Sequence, residues 1–392
     1  MKILFIEPCP MYFGGYFRAL NIARGLSDNN CQTDILITSN KKFLLKIIKH
    51  KIDKNINLYE LPRFFLNNYI QGRLLRSLIN ILFAIFKQYD IYHIAMPVEP
   101  ESNIPALFLK LIGKKNLVID WDEIYYNGIL KSNRILNFYN GIFEYIFPKL
   151  FNNYCVVSEI LKQLSIKRGA KNIIKIINAV NTNQFPLFNK NRSIKELKLN
   201  KKYLNLFIFG NTLTGNRVSW LFKTAENLLK INPNINFYTT FDPIQILSRE
   251  KYENMFSEFT IKKFIKTGYL SEDMLGKYLS GCDATLFLMD NSFHDRACFP
   301  TRVGTALAGN SIIATNDNNS EASNLLKKHD CAIVAPTIED LPNLIISTLS
   351  SNNLKIKLLK NILLTKQKLS YKNQTRILKK YYQKIILSNS SR

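Results

Sequence analysis

Short apolar runs alternate with longer stretches of helical periodicity along almost the whole chain, in two successive series. This is the pattern of βαβ units. A strand covered on both faces reads as a brief continuous apolar run, and the crossover helix after it shows a single apolar stripe. The first series places strands at 3–6, 33–38, 57–60, 91–95, 117–120, 154–157 and near 173–177, with helices over 16–26, 72–88, 104–112 and 136–151. A polar, acid-poor segment over 181–202 reads as a linker. The second series has strands at 205–209, 236–240, 260–267, 284–289, 311–315 and 332–335, and helices over 218–230, 271–280, 301–308 and 320–328. The pattern predicts an α/β protein of two doubly wound domains, 1–183 and 203–353, followed by a basic helical tail over 354–392. A chain of 392 residues is long enough for two such cores.

Charge is distributed unevenly. The net charge is +25, and most of it lies in two stretches: residues 41–87 carry ten bases against two acids, and 351–392 carry eleven bases and no acid. Such fields attract an anionic lipid leaflet or a polyanion. Nucleic acid is not expected, because exposed aromatics are not interleaved with the bases in a known module. Over 41–52, KKFLLKIIKHKI, helical spacing gathers Phe43, Leu44, Ile47, Ile48 and Ile52 on one face with the lysines mostly off it, the profile of an interfacial helix on an anionic membrane. The apolar run over 78–86 reads instead as core.

The six cysteines show no C-x-x-C pair and no histidine at metal-ligand spacing, so reduced, mostly buried thiols of a cytoplasmic protein are expected. The five-residue apolar run at the N-terminus, broken by Glu7, reads as a first strand rather than a signal peptide. No run reaches the roughly 18 apolar residues of a spanning helix, which leaves peripheral association with the inner membrane face.

In an open parallel sheet, ligands bind beyond the carboxyl ends of the strands, so the loops there carry the candidates. After the first strand, Gly14 and Gly15 let backbone N–H groups approach an anion at a helix N-terminus, although a plain tight turn explains the pair equally well. Asp120, Asp122 and Glu123 flank Trp121; carboxylates this close raise one another's pKa and belong in a polar cleft, beside a cation, or on a solvated loop. In the second series, Phe209-Gly210-Asn211-Thr212-Leu213-Thr214-Gly215-Asn216-Arg217 joins a strand to a helix, with Lys223 further along, a turn suited to cradling a diphosphate. The sharpest local signal is 293–304, FHDRACFPTRVG. Pro300 suits the first position of a helix, leaving the amides of Thr301 to Val303 free for a phosphate and adding the charge of Arg302.

Taken in order, MKILFIEPCPMYFGGYFRALNIARGLS, YDIYHIA, CVVSEILKQLSIKRGAKNIIKIINAVNTNQF, GYLSEDMLGKYLSGCDATLFLMD and FPTRVGTALAGNSIIATNDNNSEASNLL make the chain resemble the retaining glycosyltransferases of the GT-B fold, of the large family-four type. The resemblance covers nearly the whole length and implies two Rossmann-like domains facing a central cleft. It also implies transfer of a sugar from a nucleotide-diphosphate donor, held mainly by the second domain, to a glycan or lipid-linked acceptor held mainly by the first, with retained anomeric configuration. No metal or other cofactor is expected, because arginine, lysine and helix N-termini neutralise the leaving diphosphate. Carried onto this chain, Gly14, Gly15 and Gly210 would border the diphosphate, Arg217 and Lys223 would bind its oxygens, and Thr301 and Arg302 would complete the clamp. Glu321 stands where the family often has an acid. The family's paired glutamates, with seven residues between them, fall here on Arg296 and Gly304, so Asp295, one place away, is the nearest acid; the usual His-Asp reads Trp121-Asp122. Asp295 and Asp122 are therefore the candidate catalytic acids. A catalytically degenerate binding subunit and a sugar-nucleotide epimerase are the alternative readings.

Overall fold

The computed structural model describes residues 1–40, 46–63, 69–126, 134–186, 188–210 and 214–390. The chain divides into two compact units: unit 1 comprises 1–179, 297–301 and 371–392, and unit 2 comprises 180–296 and 302–370.

In unit 1 the elements run β1 (Lys2–Pro10), α1 (Gly14–Ser27), β2 (Gln32–Thr38), β3 (Ile48–Asp53), β4 (Ile56–Leu61), α2 (Tyr69–Phe86), β5 (Ile91–Ala95), α3 (Pro100–Leu111), β6 (Leu117–Trp121), α4 (Arg134–Leu150), β7 (Asn153–Val156), α5 (Glu159–Lys167) and β8 (Asn172–Lys175). They build an eight-stranded sheet in the order β3-β4-β2-β1-β5-β6-β7-β8, parallel except for β3. The central strands β1, β2, β5 and β6 are buried over most of their length, which is why their apolar stretches read as short runs in the sequence.

Two expectations are corrected here. The helix expected over 41–52 is not formed where the structure describes it: Ile48–Asp53 is an antiparallel edge strand on β4, while 41–45 lie outside the described residues. Its half-exposed residues alternate with exposed ones, so period two overrides the helical spacing, and His50 Nε2 lies 3.2 Å from the buried Glu60 carboxylate of β4. The run expected in the core, 78–86, instead presents Leu78, Leu82, Ile85 and Phe86 to the surface of α2.

Unit 2 contains α6 (Lys190–Glu196), β9 (Leu204–Ile208), α7 (Asn216–Ile231), β10 (Ile235–Thr239), α8 (Pro243–Arg249), α9 (Glu258–Lys262), β11 (Phe264–Lys266), α10 (Glu272–Gly281), β12 (Ala284–Leu286), α11 (Phe293–Ala297, whose last residue falls in unit 1), α12 (Thr301–Ala308, entered from unit 1), β13 (Ile313–Asn316), α13 (Glu321–Lys328), β14 (Ala332–Ala335), α14 (Leu341–Ser350) and α15 (Asn352–Lys368). Its six-stranded sheet is wholly parallel in the order β11-β10-β9-β12-β13-β14. The strand expected over 260–267 is only β11; the residues before it form α9, whose first turn Ser257 caps by accepting the Thr260 N–H.

The last helix, α16 (Tyr371–Ser390), returns to unit 1. Tyr371, Thr375, Leu378, Tyr382 and Ile385 form its buried stripe at helical spacing. It packs on α1 closely enough that a Cβ on Gly25 would come 2.6 Å from Thr375 Oγ1. Cys31, Cys155, Cys282 and Cys331 are buried thiols. Among the described residues, no helix is long and apolar enough to cross a membrane.

Candidate active site

Each sheet reverses its strand order once, between β1 and β5 in unit 1 and between β9 and β12 in unit 2. Ligands of doubly wound sheets bind beyond the carboxyl ends of the strands at such points.

In unit 2 the reversal collects most of the candidates. The turn after β9 places Gly210 at φ +101°, with its N–H donating to Thr240 Oγ1 at 3.2 Å. Residues 211–213 lie outside the described residues. Gly215, at φ +57°, starts α7 and donates its N–H to Glu250 at 2.8 Å. Arg217 follows in the first turn, and its Nη1 lies 3.5 Å from Asp295 Oδ2. Asp295 sits on α11 after β12 and accepts the Asp290 N–H at 2.9 Å on the same oxygen. Arg302, in the first turn of α12, points Nη1 at Phe209 O, 3.5 Å away, and lays its guanidinium 5.5 Å from the Phe287 ring centroid. Burial, together with the neighbouring Arg217 and against the pull of Asp295, lowers Arg302 to about 10, still charged at neutral pH. Arg217 is paired with Asp295, and Arg302 lies within electrostatic reach of both, an arrangement with positive charge to spare.

The loop after β13 is tied into the same cluster. Asn316 and Met289 exchange two hydrogen bonds of 2.9 Å, and Asn318 Nδ2 donates to Asp290 O at 3.0 Å. Ser320 then caps α13 by accepting the Ser323 N–H, which sets Glu321 in the first turn. Lys223 is not part of this group. It lies exposed on α7, six residues beyond Arg217 and so about two-thirds of a turn around the axis. Thr301 opens α12 from a strap, 297–301, that unit 1 holds: Ser158 Oγ donates to Ala297 O, and Asn178 Nδ2 donates to Phe299 O.

In unit 1, Gly14 and Gly15 begin α1, whose N-cap residue Phe13 offers no side-chain cap. A Cβ on Gly15 would stand 2.7 Å from Glu7 Oε1, so this glycine makes room for a carboxyl group. Glu7 accepts the Cys9 N–H at 3.0 Å, and burial, reinforced by Asp122, raises it to about 8. Burial also raises Asp122 to about 7; Asp120 and Glu123 add to the effect and Arg18 opposes it. Asp122 Oδ1 is buried with no hydrogen-bond partner among the described residues. Tyr12 and Met96, in the loops leaving β1 and β5, hold left-handed conformations at φ +71° and +49°.

Beneath them runs a network that sequence reasoning missed. Arg18 makes a bidentate pair with Asp120 at 2.9 and 2.8 Å, and donates to Ile176 O and Asn178 Oδ1. Arg18 holds Asp120 well below the usual carboxylate range against the effect of burial. His93 Nε2 lies 3.1 Å from Asp120, and His93 Nδ1 lies 2.6 Å from the Tyr382 hydroxyl of α16. His93, Asp120 and Cys155 bring their ligand atoms within 4.8 Å of one another, but the Arg18 guanidinium already supplies the cation. The one available signal was a charged residue, Glu7, ending the first apolar run.

The order of both sheets, the position of their reversals and the long return helix decide the comparison. The fold is that of the GT-B glycosyltransferases. The chain superposes on a sucrose-phosphate synthase from Thermosynechococcus elongatus over 99% of its own length and 100% of that chain, with a TM-score of 0.78 at 12% identity. A trehalose-6-phosphate synthase from E. coli, solved with UDP-2-fluoro glucose, matches at TM-score 0.67 and 12% identity over 98% and 99% of the two chains. WaaG, a glycosyltransferase of lipopolysaccharide biosynthesis, matches at 0.66 and 10% over 96% and 98%. No protein-family model matches the chain, and no curated protein matches it in sequence.

Proposed function

We propose that the chain transfers a sugar, with retention of configuration, from a nucleotide-diphosphate donor bound in unit 2 to a glycan or lipid-linked acceptor at the inner face of a membrane. The observation that carries this reading is the neighbouring pair of guanidinium groups, Arg217 and Arg302, with Asp295 against Arg217, at the strand-order reversal of unit 2. Like charges held together in a half-buried site are stabilised by an anion, and a diphosphate matches both in charge and in hydrogen-bond geometry. The solved E. coli synthase with UDP-2-fluoro glucose supports a nucleotide sugar as the donor class.

In this reading the bond from the anomeric carbon to the diphosphate breaks with its electron pair leaving on the phosphate oxygen, where Arg217, Arg302 and the first-turn amides of α12 receive the charge. The acceptor hydroxyl attacks the same face and gives its proton to that oxygen. Asp295 orients Arg217, and Asp122 with Glu7 lines the acceptor side. In this reading the two arginines are the counter-charges to the leaving diphosphate.

The test is a thermal-shift screen against UDP, GDP, ADP, CMP and their common sugars, with Arg302→Ala alongside. A ligand at a hundred times its dissociation constant stabilises a fold by about 2.7 kcal/mol. A shift by one nucleotide in the wild type alone supports the reading and names the donor base. No shift with any of them overturns it in favour of a degenerate binding subunit.

A further inference from the structure

The three helices α2, α3 and α4 lie on one face of the first sheet. Each leads to the next strand in the same direction across it, from β4 to β5, β6 and β7, while α1 turns back from β1 to β2 and takes the other face. They pack side by side: Asn80 Nδ2 of α2 donates to Glu101 O of α3, and Asn103 Nδ2 of α3 donates to the Tyr139 hydroxyl of α4.

Their outer surface is apolar. On α2, Leu74, Leu78, Leu82 and Phe86 recur every four residues, all exposed; on α4, Ile135, Phe138, Ile142 and Tyr145 recur every three or four. Phe86 is 81% exposed, Ile135 84% and Phe138 68%, and Leu111 at the end of α3 is 84% exposed. Single exposed apolar residues are ordinary, but continuous stripes on neighbouring helices mark a binding surface. The polar pattern is inverted as well. α2 contains no acid, and the acids of the other two helices, Glu101 and Glu144, are buried, the first paired with Arg76 and the second accepting the Tyr125 N–H. The charges exposed on this layer are Lys110, Arg134 and Lys149. Lys149 Nζ lies 4.0 Å from the Tyr145 ring centroid, a base laid along an apolar stripe.

We infer that this layer is the surface by which the chain seats itself on an anionic lipid bilayer. It takes the role that helical spacing had assigned to 41–52. The inference deepens the membrane part of the reading above and rests on it. An apolar plane whose three helices turn bases and no acid outward fits a leaflet of anionic headgroups, into which the apolar side chains insert while the lysines meet phosphates.

The experiment is co-sedimentation of the full chain with vesicles of phosphatidylcholine alone and of phosphatidylcholine containing phosphatidylglycerol. Wild type and two variants, Ile135→Ser/Phe138→Ser and Leu78→Ser/Phe86→Ser, are compared, and their melting temperatures are recorded. The expected result is binding that needs phosphatidylglycerol and falls about tenfold or more in each variant, with melting unchanged because the substituted side chains face solvent. Variants that bind like the wild type overturn this surface and leave the membrane reading standing. A wild type that ignores both vesicles overturns the membrane reading together with this surface. A wild-type dimer in sedimentation velocity that the substitutions convert to monomer, without lipid binding, assigns the layer to a second copy and also overturns the proposal.

Discussion

Arg302 Cδ lies 2.8 Å from the point that a Cβ on Gly210 would occupy, where the backbone φ is +101°. Glycine at this position both relieves the turn and lets the arginine lie across it. Gly210→Ala is therefore expected to cost stability of about 1–3 kcal/mol through the left-handed backbone. Nucleotide affinity should fall further than the melting temperature accounts for, because the arginine is displaced. Calorimetric titration beside thermal melting checks this, and a loss of stability with unchanged affinity would contradict it.

Arg217 and Arg302 are expected to matter where Lys223 does not. Removing either arginine should weaken nucleotide-diphosphate binding by about 10- to 100-fold, the range of a charge-assisted hydrogen bond worth roughly 1.5–3 kcal/mol. Lys223→Ala, exposed on another side of α7, should leave affinity within experimental error. Titration with whichever nucleotide shifts melting separates the three.

Unit 1 depends on the buried pair of Arg18 and Asp120. Asp120→Ala leaves a buried guanidinium without its counter-ion and should destabilise unit 1 by roughly 3–5 kcal/mol. Tyr382→Phe, which takes the hydroxyl from His93, should cost about 1–3 kcal/mol. Trp121 lies in unit 1 and Trp220 in unit 2, so urea unfolding followed by fluorescence in a Trp220→Phe background reads this unit alone.

The buried carboxyls give a pH dependence of defined sign. Glu7 titrates at about 8 in the folded chain, against an ordinary value of 4.5. Between those values the folded state holds a proton that the unfolded chain has released, so this contribution to stability is complete below about pH 4.5 and is lost as pH rises through about 8. Asp122 adds a loss of the same sign, complete as pH rises through about 7. Glu7→Gln should flatten the decline in melting temperature between about pH 5 and 9, and an unchanged slope would count against a buried, protonated Glu7.

Most of the fold is legible in the sequence because strands buried on both faces read as short apolar runs: 91–95 coincides with β5, and 117–120 falls within β6. Edges are harder. In Ile48–Asp53 the alternating lysines and isoleucines fit period two and period 3.6 over so few residues that only pairing with β4 decides. Short helices such as α8 and α14 announce themselves mainly by a proline at their start, a signal that turns share. At the site, the loops after β9 and β12 could be read because their glycines, proline and arginines stand close together in sequence. Arg18 could not, since its partners Asp120 and Asn178 lie more than a hundred residues away and a lone arginine on an amphipathic helix reads as surface.

The return of α16 to unit 1 constrains how the chain can fold while it is being made. The inner side of α1 and the hydroxyl site beside His93 are completed by residues 371–390, whereas the sheet they cover ends at Lys175. Some 190 residues of unit 2 and the strap intervene, a delay of roughly 10–40 s at ribosomal rates of about 5–20 residues per second. Throughout that interval the flank of α1 that α16 later covers stays open, so unit 2 is free to finish folding before unit 1 is complete.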